Sequence, residues 1–174
     1  SIGVPYCSRV CCMYSIKQAM LLSGAVPMAE ITIYYMDIRA FGKGYEQFYQ
    51  NAKAMGITFT KGKVARIDPV DNDNLKLRVE SLEDGRLLEN EHDLVILAQG
   101  IVPRADADGL GVVLDHDGFV KCADPVAPTK TEGEGIFTAG CTAGPKDIVD
   151  SIVEASAAAS EAAQHLIRTG VVPV

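Results

Sequence analysis

The chain has 174 residues, of which 48% are hydrophobic and 22% are charged, so it can bury one ordinary core. Its formal net charge of −7 argues against binding to nucleic acid, because neutralising phosphates requires clustered lysine and arginine. No apolar run approaches the roughly 20 residues needed to cross a bilayer, so we expect no membrane span.

The first part of the chain alternates helix and strand patterns. Apolar positions three and four apart predict a helix over residues 8–22, ended by Gly24. Residues 30–38 are β-branched and aromatic, the pattern of a strand buried in a parallel sheet. A second helix is predicted over residues 45–55, with Gly56 closing its end.

The middle and end of the chain add a meander and a long helix. Short strand patterns separated by turn residues predict an antiparallel meander, with strands at 57–60, 62–67, 75–81 and 87–88. Residues 93–98 (DLVILA) and 135–140 predict two further strands, with a loop-rich stretch between them. An alanine-rich helix is predicted over residues 148–167, with Pro145 placed before it.

This order of elements predicts an α/β fold: a Rossmann-like parallel sheet with helices on both faces and an inserted antiparallel β-meander. Such an arrangement is typical of FAD/NAD(P)-binding-like domains. The first strand and the glycine fingerprint of a dinucleotide site are missing, since no glycine pair has a third glycine three residues on. The chain also lacks a start methionine, so we expect a partial domain excised from something longer.

Three of the five cysteines, Cys7, Cys11 and Cys12, fall within six positions. This layout suits a reducing cytoplasm better than a secreted disulfide framework. Thiolates gathered around a first helical turn suit an iron–sulfur cluster or zinc, and the thiols could also be free. A four-iron cluster usually takes four cysteines, so the fourth would come from Cys122, Cys141 or residues outside this chain.

The sequence around these cysteines resembles the A-type, flavin-carrying subunits of heterodisulfide reductase (HdrA). The resemblance rests on residues 7–14 (CSRVCCMY) followed by KQA, residues 35–46 (YMDIRAFGKGYE), and residues 139–141 (AGC) followed by GPKDI. These segments occur in the family's order and nearly span the chain. Residues 123–134 depart from the family's pattern, and Cys122 has no matching role, so we treat it as a free thiol.

The resemblance implies an oxidoreductase subunit that moves electrons between FAD and [4Fe-4S] clusters by flavin-based bifurcation, while a partner subunit reduces the heterodisulfide. It implies a fourth cluster cysteine and an FAD fingerprint upstream of Ser1, in the domain toward which residues 101–174 return. The implied partners are other heterodisulfide reductase subunits, an electron-donating hydrogenase or dehydrogenase, and a second copy. We expect a cytoplasmic protein whose isolated fragment, residues 1–174, is inactive.

Two groups of residues are candidates for the flavin site. Lys17 lies about 7.5 Å beyond Cys12 along a helix axis, and the resemblance places the matching lysine near the hydride-exchanging flavin nitrogen. A surface lysine is the alternative. Glycines between a strand and a helix direct backbone N–H groups at a ligand, which nominates Gly140, Cys141, Gly144, Pro145, Lys146, Asp147 and Ile148. The alternative is a helix cap by Asp147 without a ligand.

Two other functions compete with this one. The chain alone could be a non-catalytic interaction module that carries zinc or a cluster, since it lacks half of the flavin site. It could also belong to a flavoprotein of the pyridine-nucleotide disulfide reductase type. The missing glycine fingerprint and the absence of a C-x-x-C pair disfavour the latter.

Overall fold

The structure is a computed structural model that describes residues 3–104 and 107–171. The chain divides into two compact units, one formed by Ser1–Val10 with Gly100–Val174 and the other by Cys11–Gln99. In the described ranges, no helix combines the length and the apolar character needed to cross a membrane.

The Cys11–Gln99 unit contains two helices and a four-stranded mixed sheet. The elements are α1 (Cys11–Ala25), β1 (Thr32–Tyr35), α2 (Tyr45–Ala54), β2 (Thr58–Pro69), β3 (Leu75–Ser81) and β4 (Leu87–His92). The strand order is β1-β2-β3-β4. Strand β1 pairs with β2 in parallel through the α2 connection, and β2, β3 and β4 form the antiparallel meander.

The core of this unit lies where α1 and α2 pack together. Its buried residues are Ile16, Ala19, Tyr49, Ala52 and Ile57. The predicted end of α2 is confirmed, because Gly56 adopts a positive φ of 89° and donates its N–H to the carbonyl of Lys53. Helix α1 continues past Gly24 to Ala25 and ends before Pro27, so the predicted glycine stop is wrong.

Strand β2 is longer than predicted. Residues 57–60 and 62–67 were expected to form separate strands, but one strand runs through both and pairs with β1 and β3 in turn. Gly62 permits this continuity, because a Cβ there would lie 2.6 Å from Cγ1 of Val79 and 2.8 Å from the carbonyl oxygen of Glu80. A glycine inside a strand marks such a close approach.

The start of α1 and the strand at residues 93–98 differ from prediction. Helix α1 begins at Cys11 rather than at Ser8, because Arg9 adopts a left-handed φ of 63°. Residues 93–98 form no strand, although their sequence is apolar. A strand needs the backbone of a neighbouring strand, and no described strand pairs with this segment. The side chains of Leu94, Ile96 and Leu97 are 64–68% exposed.

The second unit is built on a hairpin and a long helix. It contains β5 (Cys122–Asp124), β6 (Ala127–Thr131), a 3₁₀ turn at Gly140–Ala143 and α3 (Ile148–Arg168). The hairpin lies in the stretch predicted as loop, and α3 confirms the predicted helix. Residues 135–140 are not a strand as predicted, since Phe137 makes only an isolated bridge to Lys130 on β6.

Candidate functional site

The loop that carries Cys7 belongs to the unit that contains α3. The backbone N–H of Arg9 donates to Sγ of exposed Cys7 over 3.3 Å. Buried Ser8 accepts a hydrogen bond at Oγ from the N–H of Ile101 over 2.8 Å, and the Tyr6 hydroxyl donates to the carbonyl of Ile101 over 3.1 Å. The cysteine loop is therefore held by main-chain and side-chain contacts on both sides of Cys7.

Cys11 and Cys12 open α1 in the other unit. Both cysteines are half-buried and in no disulfide, and the Cys12 thiol lies 3.7 Å from the carbonyl oxygen of Asp37. The N-terminal end of a helix carries partial positive charge, which stabilises thiolates and anionic groups that bind there. The first turn of α1 is therefore electrostatically suited to an anionic metal–thiolate centre.

Tyr14 lies beside these two cysteines and was not singled out by the sequence. Burial raises the pKa of its hydroxyl, and the negative charges of Cys11 and Cys12 raise it further. The hydroxyl donates to the carbonyl of Gln99. Tyr14 thus stays a neutral donor that fixes the start of α1 against the end of the 93–99 segment.

The boundary between the two units falls between Val10 and Cys11. The structure thus places Cys7 in one unit and Cys11 and Cys12 in the other. The convergence of the three thiols on one volume stays a prediction from their spacing. Lys17 is exposed on α1, and its predicted approach to a flavin likewise stays a prediction.

The predicted flavin-binding loop, residues 140–147 (the glycine loop), leads directly into α3. Gly140 and Gly144 both adopt positive φ, 66° and 137°, values that glycine takes without strain. The thiol of Cys141 lies 3.5 Å from the carbonyl oxygen of Lys146, across the loop. Asp147 accepts the N–H of Asp150 at 2.8 Å, so the predicted helix cap exists.

Glu154, on the second turn of α3, contacts this loop at both Gly140 and Lys146. Its Oε2 accepts the N–H of Gly140 over 3.0 Å, and its Oε1 lies 3.0 Å from Nζ of Lys146. The two side chains are only 17% and 10% exposed, so the ion pair is largely desolvated. The ammonium of Lys146 is therefore paired with Glu154. The sequence did not predict a role for Glu154, because this residue lies outside the motif.

The residues in and beside the loop fit a bound flavin in two respects. The hydroxyl of Thr138, two residues before Gly140, is buried and has no hydrogen-bond partner in the described part of the chain. A Cβ on Gly144 would meet no atom within 4 Å, so a ligand can approach the backbone there. The N-terminus of α3 is already capped by the Asp147 carboxylate. The residue types of Cys7, Cys11 and Cys12 fit an iron–sulfur cluster, because cysteine thiolates are its usual ligands and none of the three is in a disulfide.

Two other features in the described ranges are not among the predicted site residues. Cys122 is in no disulfide; its thiol lies 2.9 Å from the carbonyl oxygen of Pro128, and burial raises its pKa. Asp115, His116 and Asp117 place three possible metal-binding atoms within 4.8 Å of one another, but the first two are exposed, and such groups are common without an ion.

Comparison with solved structures defines the fold class. The chain superposes on thioredoxin reductase from Lactococcus lactis with a TM-score of 0.64 at 20% identity, covering 89% of this chain and 50% of that one. For thioredoxin reductase from T. acidophilum the TM-score is 0.55 at 20% identity, with coverage of 82% and 45%. The predicted α/β, Rossmann-like class is confirmed: the chain has the fold of part of a thioredoxin reductase.

Sequence comparison then identifies the family. The chain is 43% identical over 96% of its length to the A-type subunit of the H(2):CoB-CoM heterodisulfide,ferredoxin reductase of Methanothermobacter marburgensis. It is 48% identical over 93% of its length to an A-type iron-sulfur subunit of the CoB–CoM heterodisulfide reductase of Methanopyrus kandleri. No family model matches the chain.

The chain belongs to the family of A-type heterodisulfide reductase subunits, as the sequence motifs predict. It spans about a quarter of the length of these curated relatives, 26% in both cases above.

Proposed function

We propose that the chain is part of a flavin- and iron–sulfur-dependent oxidoreductase, which moves electrons between FAD and a [4Fe-4S] cluster. The names of its relatives refer to reduction of the CoB-CoM heterodisulfide and ferredoxin. We propose the same chemistry for the complete protein, with electron bifurcation at the flavin and heterodisulfide reduction on a partner subunit.

The observation that carries this proposal is the set of three thiols. Cys11 and Cys12 lie at the positive end of α1 as reduced cysteines, and Cys7 receives a backbone N–H. Cysteines at a helix N-terminus are favoured as thiolates, and N–H donors to sulfur stabilise the added negative charge of a reduced cluster. In the proposal, Cys7, Cys11 and Cys12 are three of the four cluster ligands.

The loop before α3 supplies the flavin half of the proposal. When bound, the flavin supplies two-electron chemistry and the cluster one-electron chemistry. The loop residues Gly140, Cys141, Gly144, Pro145, Lys146, Asp147 and Ile148 would bind and orient the flavin through their backbone. Pro145 has no N–H and Gly140 donates its N–H to Glu154, so the N–H donors would come from the other loop residues. Lys17 would place its ammonium beside the ring and stabilise negative charge on the reduced form.

The partners follow from the family rather than from contacts of this chain. We propose that the complete protein assembles with other heterodisulfide reductase subunits, with a hydrogenase or dehydrogenase that donates electrons, and with a second copy of itself. The division at Gln99 and Gly100 is compatible with residues 101–174 belonging to the flavin-binding part, as the sequence predicts.

The test is anaerobic purification of the full-length protein, with iron, acid-labile sulfide and zinc measured. We expect broad visible absorbance that bleaches with dithionite and about four iron atoms for this cluster. Cys7→Ser, Cys11→Ser and Cys12→Ser should each remove that iron. Cys122→Ser is the matched control, because it changes the same atom in a thiol outside the set.

Two results would contradict the proposal. One is a colourless wild-type protein that holds stoichiometric zinc after anaerobic preparation, which would favour the metal-carrying module. The other is equal iron loss in Cys122→Ser and in the three test variants, because the loss would then not single out Cys7, Cys11 and Cys12 as the ligands.

A further inference from the structure

Arg9 joins the cysteine loop to the first turn of α3. Its backbone N–H donates to Sγ of Cys7 over 3.3 Å, and its guanidinium donates to Oδ2 of Asp150 over 2.7 Å. All three residues belong to the same compact unit. One residue therefore contacts a proposed cluster ligand through its main chain and α3 through its side chain.

The backbone of Arg9 is strained. Its φ of 63° lies in the left-handed region, which residues with a Cβ adopt rarely and keep only where surrounding contacts hold them. Glycine would take this conformation without strain. An arginine at this position is strained, and the group that it adds, which glycine lacks, is the guanidinium that binds Asp150.

The partner of Arg9 is itself fixed in place. The N–H of Asp150 donates to the capping oxygen of Asp147 over 2.8 Å, which sets Asp150 in the first turn of α3, directly after the glycine loop. The side chains of Arg9 and Asp150 are 39% and 42% exposed. The pair is thus a tether at the rim of the site rather than part of a core.

We propose that Arg9 is a positioning residue for the metal site: its ion pair with Asp150 holds the left-handed turn that points the Arg9 N–H at the Cys7 sulfur. This inference rests on the proposed function, in which Cys7 binds the cluster. Hydrogen bonds to cluster sulfurs set the reduction potential, and outer-shell partners typically contribute about 10–100-fold to metal affinity or activity.

The experiment compares three variants of the full-length protein: Arg9→Gly, Asp150→Asn and Glu89→Gln. Arg9→Gly accepts the left-handed φ, so its effect reports the loss of the side chain and not new strain. Glu89→Gln is the control, because it removes one charge from the Arg78–Glu89 pair, whose length of 2.8 Å and exposures of 47% and 44% resemble those of the tether.

The readouts are the rate of cluster loss to an iron chelator and the midpoint potential of the cluster. We expect Arg9→Gly and Asp150→Asn to accelerate loss about 10-fold and to shift the potential to more negative values, with Glu89→Gln unchanged. A charge effect alone would shift Asp150→Asn in the opposite direction, because removing a carboxylate makes the surroundings more positive. The sign therefore separates positioning from electrostatics.

The inference is overturned if both test variants match the wild type, or if Asp150→Asn shifts the potential positively without faster cluster loss. If the wild type holds no cluster, the proposed function fails instead. The tether is then tested in metal-free protein by hydrogen–deuterium exchange of peptides that cover residues 6–10. Asp150→Asn should speed exchange of the Arg9 amide several-fold, and unchanged exchange would refute the positioning role.

Discussion

Replacing Glu154 with alanine should destabilise the unit that contains α3 more than an ordinary surface substitution does. The variant leaves the Lys146 ammonium and the Gly140 N–H without their carboxylate, in a place where the pair is only 10% and 17% exposed. Removing one partner of a buried ion pair costs about 3–5 kcal/mol. Because solvent reaches part of Glu154, we expect the lower end, about 3 kcal/mol.

Glu154→Gln separates the two contributions, because its amide oxygen still accepts the Gly140 N–H while the charge facing Lys146 is lost. We expect a loss of about 2 kcal/mol, in the range of hydrogen bonds to charged groups. The assay is thermal and urea unfolding of the chain followed by circular dichroism. A loss of about 3 kcal/mol corresponds to a fall in Tm of roughly 6–12 °C for a chain of this size.

Glu89→Ala is the control for this series. It removes a carboxylate of the same type from the Arg78–Glu89 pair, whose side chains are 47% and 44% exposed. Exposed ion pairs contribute at most about 1 kcal/mol. If Glu154→Ala destabilises no more than Glu89→Ala, then the Lys146–Glu154 pair is not desolvated in solution, and the account of how the glycine loop is held is wrong.

Two further predictions concern the Cys11–Gln99 unit, and urea unfolding tests both. Gly62→Ala should lower the free energy of unfolding by about 1–3 kcal/mol, because its Cβ would lie 2.6 Å from Cγ1 of Val79. Gly24→Ala is the control: its Cβ would have no atom within 4 Å, and it should raise the free energy of unfolding by about 0.5–1 kcal/mol. Equal effects would contradict the predicted clash. Ile16→Ala should cost about 2–5 kcal/mol, since Ile16 is fully buried between the helices, and a loss below about 1 kcal/mol would contradict that placement.

The elements that the sequence predicts well are those whose cause is local. Helix α3 has a cap at Asp147 and good helix formers along its length, and its predicted bounds agree with the structure to within about a residue. Residues 93–98 have an equally clear strand pattern but form no strand. A strand depends on a neighbouring backbone, which apolar periodicity does not report.

The same distinction applies to the candidate site. The motifs nominate Cys7 and Gly140 as candidates, because thiols and glycines carry their chemistry in their residue type. They do not identify Arg9 or Glu154, whose roles come from contacts with partners elsewhere in the chain: Arg9 and Asp150 are 141 positions apart. A charged residue in a sequence shows no partner, so its function becomes visible only in the folded structure.

The first turns of α3 connect these findings. Asp150 tethers the turn beside Cys7, and Glu154, one helical turn further on, accepts the N–H of Gly140. Residues four apart lie on one side of a helix, so a single stripe of α3 holds both the cysteine loop and the glycine loop. The spacing between a proposed cluster ligand and the proposed flavin loop is thus set, within this unit, by two carboxylates on one rigid element. A shift of α3 would move both loops together, which would keep the two proposed redox groups at a fixed spacing better than two independent supports would.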